Sequence, residues 1–234
     1  MGPRSQARLR PLLKKNSFLG RLPEAVFDTL MATGQLKKHA KGDIIYRRDD
    51  PGDSVMVLVA GQLKLTNFSL KATEVLLHFV VPGEAFGEVA ALDGKERAAN
   101  AVALEACEVL VIHTRDLLPT LVAHPHAMLE VIRALCEKAR AVAPLLEDRT
   151  LPMRARVARG LLRLARQLGR RRKDGVHMHL AVSQEDLGNY FGLARANVNR
   201  QMGHLKRAGV IRIDGARIIV TDEGKLAELA LASL

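Results

Sequence analysis

Between Leu36 and Ile112 the chain is cut at short intervals by Gly42-Asp43, Pro51-Gly52-Asp53, Ala60-Gly61, Pro82-Gly83 and Asp93-Gly94. The pieces left between these breaks are brief and apolar. Val55 to Val59, Leu63 to Leu65, Val75 to Val81 and Cys107 to Ile112 have the length and composition of short strands. Many short strands at turn-bounded spacing predict an all-β sandwich or barrel. Two short helical patterns precede it, Arg8 to Lys15 and Pro23 to Ala32, the second with Pro at its start.

Beyond Ile112 the period changes. Met128, Ile132, Leu135, Ala139, Val142 and Leu146 follow one another at steps of 4 and 3. Such an a/d seam over about three heptads favours pairing with another helix. Packing onto its own domain is the other reading. Pro144 lies inside the pattern. It lacks a backbone donor and its ring crowds the preceding turn, so a kink or a stop is expected there. Leu151-Pro152 then marks a hinge.

Charge separates the two ends of the chain. Residues 1–148 carry 19 Lys and Arg against 18 Asp and Glu, and residues 149–234 carry 17 against 7. The last third therefore holds +10 of the net +11. A polyanion-binding domain leaves this footprint, and so does a merely basic surface. Residues Ala155 to Leu168 form an amphipathic helical pattern, with Val157, Leu161, Leu164 and Leu168 on one face. The run from Gly169 to Gly175 (GRRRKDG) is expected to be a charged loop that touches phosphate or simply meets solvent.

A pair of helices follows. Ser183 with Asp186 three residues on is a capping-box-like start. The first helix is expected to end at Tyr190 or Phe191, near Gly192, and a second to start around Ala194. Two short helices around a tight glycine turn predict a helix-turn-helix. At 100° per residue Val198, Met202 and Leu205 point inward, and Ala196, Arg200, Gly203 and Arg207 point out. Asn197 and Asn199 flank that outer face, with Arg195 at its N-terminal end. Arg forks onto guanine and Asn onto adenine, so the face suits base reading. Val210 to Ile213 and Arg217 to Val220 around Asp214-Gly215 predict a β-hairpin wing.

Within FGEVAALDGKERAANAV (86–102), one carboxylate, Glu88, and one guanidinium, Arg97, stand nine residues apart among small residues. Arg binds phosphate oxygens, a carboxylate accepts from sugar hydroxyls, and glycine-turn amides add donors. A phosphorylated sugar meets this need, and a structural Glu–Arg ion pair is the competing reading.

Phe86-Gly87-Glu88 followed by Arg97-Ala98-Ala99 resembles the phosphate-binding cassette of cyclic-nucleotide-binding domains. With the order of elements, almost the whole chain resembles the CRP/FNR family of bacterial transcription regulators. The fold class this implies is α+β: an N-terminal jelly-roll-like cyclic-nucleotide-binding β-roll over 1–122, a dimerisation helix and hinge over 123–150, and a winged helix-turn-helix over 151–234. By that resemblance Arg97 binds the cyclic phosphate and Glu88 the ribose 2′-hydroxyl. Backbone near Gly87, Val89, Ala98 and Ala99 lines the phosphate, and Leu77 and His78 lie on a strand turned toward the ligand. Arg195 and Arg200 match the family's recognition-helix arginines, and Ser183, Gln184, Ala196, Asn197 and Asn199 are expected to contact DNA with them.

Ala141-Val142 stand where cyclic-AMP-responsive members commonly place Thr-Ser against adenine, which leaves cyclic GMP open beside cyclic AMP. His78 replaces a familiar small hydroxyl residue, and Ala196 a base-reading Glu. The resemblance implies a homodimer on a palindromic operator, responsive to cyclic AMP or cyclic GMP and in contact with RNA polymerase. A second reading keeps the DNA-binding architecture but senses haem, redox state or another small ligand. A third makes the chain a cyclic-nucleotide-binding regulatory subunit of a partner protein.

No apolar run reaches the roughly 18 residues of a membrane span, so no membrane partner is expected, and the expected location is cytoplasmic. Cys107 and Cys136 form no metal-ligand or Cys-x-x-Cys spacing and are expected to be reduced and mostly buried, with no metal bound. No nucleophile–base pair or P-loop is present, so the chain is not expected to be an enzyme.

Overall fold

The computed structural model describes residues 3–16, 18–70, 73–179, 182–215 and 217–231. By internal contacts the chain divides into two units, residues 1–68 with 77–139, and residues 69–76 with 140–234.

The first unit begins with helices α1 (Pro3–Asn16) and α2 (Glu24–Thr33), joined by a 3-10 turn at Phe18–Arg21. Pro23 sits one residue outside α2, as its N-cap. Strands β1 (Gln35–His39), β2 (Ile44–Tyr46), β3 (Ser54–Ala60), β4 (Leu63–Phe68), β5 (Glu74–Val80), β6 (Ala85–Phe86), β7 (Asn100–Ala103) and β8 (Cys107–His113) follow, with the short helix α3 (Glu88–Asp93) between β6 and β7. β5 starts in the second unit. The strands make two sheets, ordered β1-β8-β3-β6 and β2-β7-β4-β5. Apart from β4 and β5, the neighbouring strands are distant in sequence, as a rolled sheet requires.

Why β3 is a continuous apolar run is clear from its two faces. Met56 and Leu58 pack with Tyr46, Leu63, Phe86, Val109 and Val111 between the sheets. Val55, Val57 and Val59 pack on the other side with Leu110, Ile112 and the helical residues Leu9, Leu13, Phe27 and Leu30. A strand covered on both faces has no polar side to alternate with. Each such side chain contributes about 1.5–3 kcal/mol of burial. β2, β6 and β7 have only 3, 2 and 4 residues, and sequence periodicity does not find elements that short.

Helices α4 (Thr114–Val122) and α5 (Pro125–Asp148) complete the roll, with Leu117, Leu121, Ala127 and Val131 packed onto its outer core. Pro144 does not end α5, which continues to Asp148. The carbonyl that loses its partner is that of Arg140, an exposed residue, so water can satisfy it. Cys107 is buried between the sheets, and burial pushes its thiol upward. Cys136, by contrast, is exposed. It lies off the α5 face that carries the buried Ala127 and Val131, so the expectation that both thiols are mostly buried holds for one only.

In the second unit, α6 (Met153–Leu168) buries Val157, Leu161 and Leu164 as its spacing predicts. A Cβ at Gly160 would lie 2.3 Å from the Phe191 ring, so only glycine permits this approach. Asp148, at 3% exposure, is held by Arg159 at 3.2 Å and by Arg163, which fixes the end of α5 against α6. The expected loop at 169–175 is instead a hairpin of β9 (Arg170–Arg172) and β10 (Gly175–His179) around Lys173-Asp174. Three consecutive arginines mask the strand signal because none of them is buried. Then come α7 (Gln184–Phe191), α8 (Arg195–Arg207), the wing β11 (Ile211–Asp214) and β12 (Arg217–Val220), and a closing α9 (Glu223–Leu231) that sequence reading did not single out. The sheet order is β11-β12-β10-β9, antiparallel throughout.

Candidate functional site

The cassette is built by two left-handed glycines on either side of α3. Gly87 (φ 74°) turns the chain from β6 into α3, and Gly94 (φ 70°) ends that helix. A Cβ at Gly87 would lie 2.6 Å from Arg97 Nη1. Glycine is thus required there by conformation and by space.

Glu88 and Arg97 do not pair with each other. Arg97 is 3% exposed. Its Nη1 donates to the Ser54 and Gly87 carbonyls, each at 2.7 Å, and Nη2 to Ser54 Oγ at 2.9 Å. Asp53 Oδ1 stands 3.7 Å away. The guanidinium lies over the Tyr46 ring at 4.6 Å, and that ring stacks on Phe86 at 6.0 Å. Burial pushes the Tyr46 hydroxyl well above its ordinary value, so it stays neutral. Arg97 Nε is buried without a partner. Glu88, 9% exposed, accepts from Lys138 Nζ at 2.7 Å, and the same ammonium donates to the Ala85 carbonyl at 2.7 Å. The ion-pair reading of Glu88 with Arg97 is therefore excluded. Sequence reasoning missed Lys138, Ser54 and Tyr46. Lys138 is 50 residues from Glu88, and its only signal is a cation beside the apolar seam.

Around this centre, Val89 is 51% exposed, Ala98 is exposed, and Ala99 is 9% exposed. The Ala98 carbonyl accepts from Asn67 at 3.0 Å. Leu77 and His78 lie on β5, at the edge of the β2-β7-β4-β5 sheet. Leu77 is exposed, and His78 Nε2 meets Glu84 Oε1 at 2.6 Å. Ala141 and Val142 are exposed on α5 in the second unit. Of the seam, Met128, Ile132, Ala139, Val142 and Leu146 are exposed and Leu135 is half-buried.

The second unit carries the helix-turn-helix. Ser183 Oγ accepts from the Asp186 N–H at 3.0 Å, and the Asp186 carboxylate accepts from the Ser183 N–H at 2.9 Å. This reciprocal box starts α7, Gly192 (φ 62°) ends it, and α8 begins after Ala194. Val198, Met202 and Leu205 are buried, as their phase requires. Arg195, Ala196, Asn199 and Arg200 are exposed together and Asn197 is half-buried, with Arg200 Nη2 donating to Asn197 Oδ1 at 2.6 Å. Gln184 is half-buried, and its Oε1 has no partner.

Comparison with known proteins agrees with both halves. Residues 36–124 match the cyclic nucleotide-binding domain and residues 155–229 the Crp-like helix-turn-helix domain. This defines the class, a DNA-binding transcription regulator with a cyclic-nucleotide-binding fold. The cyclic AMP receptor protein of Thermus thermophilus is 31% identical over 91% of this chain and 95% of its own. The CRP-like cAMP-activated global transcriptional regulator of Mycobacterium tuberculosis is 25% identical over 81% and 85%. Among solved structures, a CRP-family transcriptional regulator from Thermus thermophilus superposes with a TM-score of 0.70 at 26% identity, covering 85% of this chain and 98% of that one. The chain belongs to the CRP/FNR family of transcription regulators.

Proposed function

We propose that the chain is a homodimeric, sequence-specific DNA-binding regulator gated by cyclic AMP or cyclic GMP. The observation that carries this reading is the separation of Glu88 from Arg97. Each charge is held in place by its own partners, so neither neutralises the other. The buried, unpartnered Arg97 Nε fits an anion, since a phosphate oxygen would relieve the cost of leaving it unpaired. Glu88 uses Oε1 for Lys138 and keeps Oε2 for a sugar hydroxyl. Backbone at Gly87, Val89, Ala98 and Ala99 would line the phosphate, and Leu77 and His78 would approach the base. Two relatives whose names refer to cyclic AMP support the ligand class.

The exposed seam of α5 supports the dimer. Two such protomers on a palindromic operator would place Arg195, Ala196, Asn197, Asn199 and Arg200 on base edges, with Ser183 and Gln184 at the backbone. Domain limits of 1–122, 123–150 and 151–234, contact with RNA polymerase and a cytoplasmic location belong to the same reading. Ligand selects the DNA-competent arrangement to the extent that it binds that arrangement more tightly.

Calorimetric titration with cyclic AMP and cyclic GMP, using Arg97→Ala as control, tests it. Micromolar or tighter binding of one nucleotide, lost in the variant, is expected. Unchanged affinity in Arg97→Ala would remove the phosphate assignment, and no binding of either nucleotide would turn the search to other small signals.

A further inference from the structure

The β9–β10 hairpin presents an uncompensated cationic edge. Register divides its arginines between the two faces of the sheet. Arg171 stands opposite the buried Val176 and turns to Glu223, at 2.8 Å. Arg170 and Arg172 stand opposite His177 and Gly175, on the other face. Lys173 occupies the turn, and all four cations are exposed. The one carboxylate in the hairpin is already engaged: Asp174 accepts from Arg212 at 2.6 Å and meets His177 Nε2 at 2.7 Å. Among the described residues Arg170, Arg172 and Lys173 have no ion-pair partner. The Asp174 contacts also tie the hairpin to β11, so the edge is held in place.

We propose that Arg170, Arg172 and Lys173 bind the phosphodiester backbone of DNA that flanks the segment contacted by α8. The inference rests on the DNA-reading role of α8. Strand β11 packs against α8, and β9 is three strands further across the same sheet. At about 4.8 Å per strand that is roughly 14 Å. One DNA strand advances ~3.4 Å along the duplex axis per phosphate, so about 14 Å along that axis spans about four nucleotides. Arg is the residue whose planar fork matches a phosphate, and three exposed cations without ion-pair partners on one hairpin complement a polyanion with no base edge to read.

The test uses the full-length protein with its nucleotide and an operator selected from a random duplex pool. Anisotropy titrations over a salt series compare the native chain with Arg170→Gln/Arg172→Gln/Lys173→Gln, on a duplex with ~10 bp flanks and on the bare recognition core. Each lost phosphate contact lowers the slope of log K against log salt by about 0.9. The expected result is a fall of about 2–3 per protomer on the long duplex, little change on the core, intact base discrimination, and recovery with Arg170→Lys/Arg172→Lys/Lys173→Arg. Circular-dichroism melting checks folding, and Arg171 is left in place to keep its pair with Glu223. An unchanged slope on the long duplex, with discrimination intact, overturns the flank contact alone. So does an unchanged slope accompanied by lost binding to poly-glutamate, which would assign the edge to an acidic protein. If the native chain shows no sequence preference, the α8 reading falls and this inference falls with it.

Discussion

Gly87 carries two constraints at once, a left-handed φ and a guanidinium 2.6 Å from where a Cβ would be. Gly87→Ala should cost about 1–2 kcal/mol from the backbone alone, and should push Arg97 off the Ser54 and Gly87 carbonyls. A thermal melt with a parallel nucleotide titration checks this: both the midpoint and the affinity should fall. Asp174 is the residue with the clearest pH signature. Its bonds to His177 and then Arg212 hold the carboxyl at about 2, below the ordinary 3.8. A folded value below the unfolded one means that these contacts stabilise fully above the ordinary carboxylate range and are lost as pH falls through about 2. An NMR titration should find Asp174 still ionised at pH 3, and Arg212→Gln should return its midpoint toward the ordinary value.

Among the elements, α7 and α8 were legible from sequence because local rules determine them. Ser183 and Asp186 cap α7, Gly192 ends it, and the spacing of Val198, Met202 and Leu205 sets the rotation of α8. Ser183→Ala should therefore cost about 1 kcal/mol by removing the acceptor for the Asp186 N–H. Chemical denaturation of the full chain measures it, and no change in midpoint would show that α8 packing alone holds α7. Other elements were hidden. The β9 strand consists of three exposed arginines, whose pairing with β10 is a matter of backbone and not of side-chain pattern. Strand β6 has two residues, and α3 has six between two glycines. Such elements exist because neighbouring strands hold them, which no window of local sequence contains. Pro144 shows the limit of a local rule: it allows a kink or a stop, and α5 does not stop but runs on to Asp148.

For the whole molecule, the decisive surface is the α5 seam. Ile132, Val142 and Leu146 are 47%, 49% and 60% exposed, and the proposed dimer would cover them. Ile132→Glu/Leu146→Glu should shift the chain to monomer in sedimentation velocity and reduce operator affinity, while the roll keeps its melt. A dimer unaffected by both charges would remove the seam from the interface. The sequence by itself determined the order of parts: a turn-cut β region, a heptad helix, a basic helix-turn-helix with its inward and outward faces. It also marked Glu88 and Arg97, because charges among small residues stand out in any window. Only the tertiary structure decided who holds them. Arg97 is gripped by Ser54, 43 residues away, and Glu88 by Lys138, 50 residues away. Local periodicity reports which face of an element is apolar, whereas such partners are set by strand order and by the place where α5 crosses the roll, and these depend on long-range packing that a linear pattern does not encode.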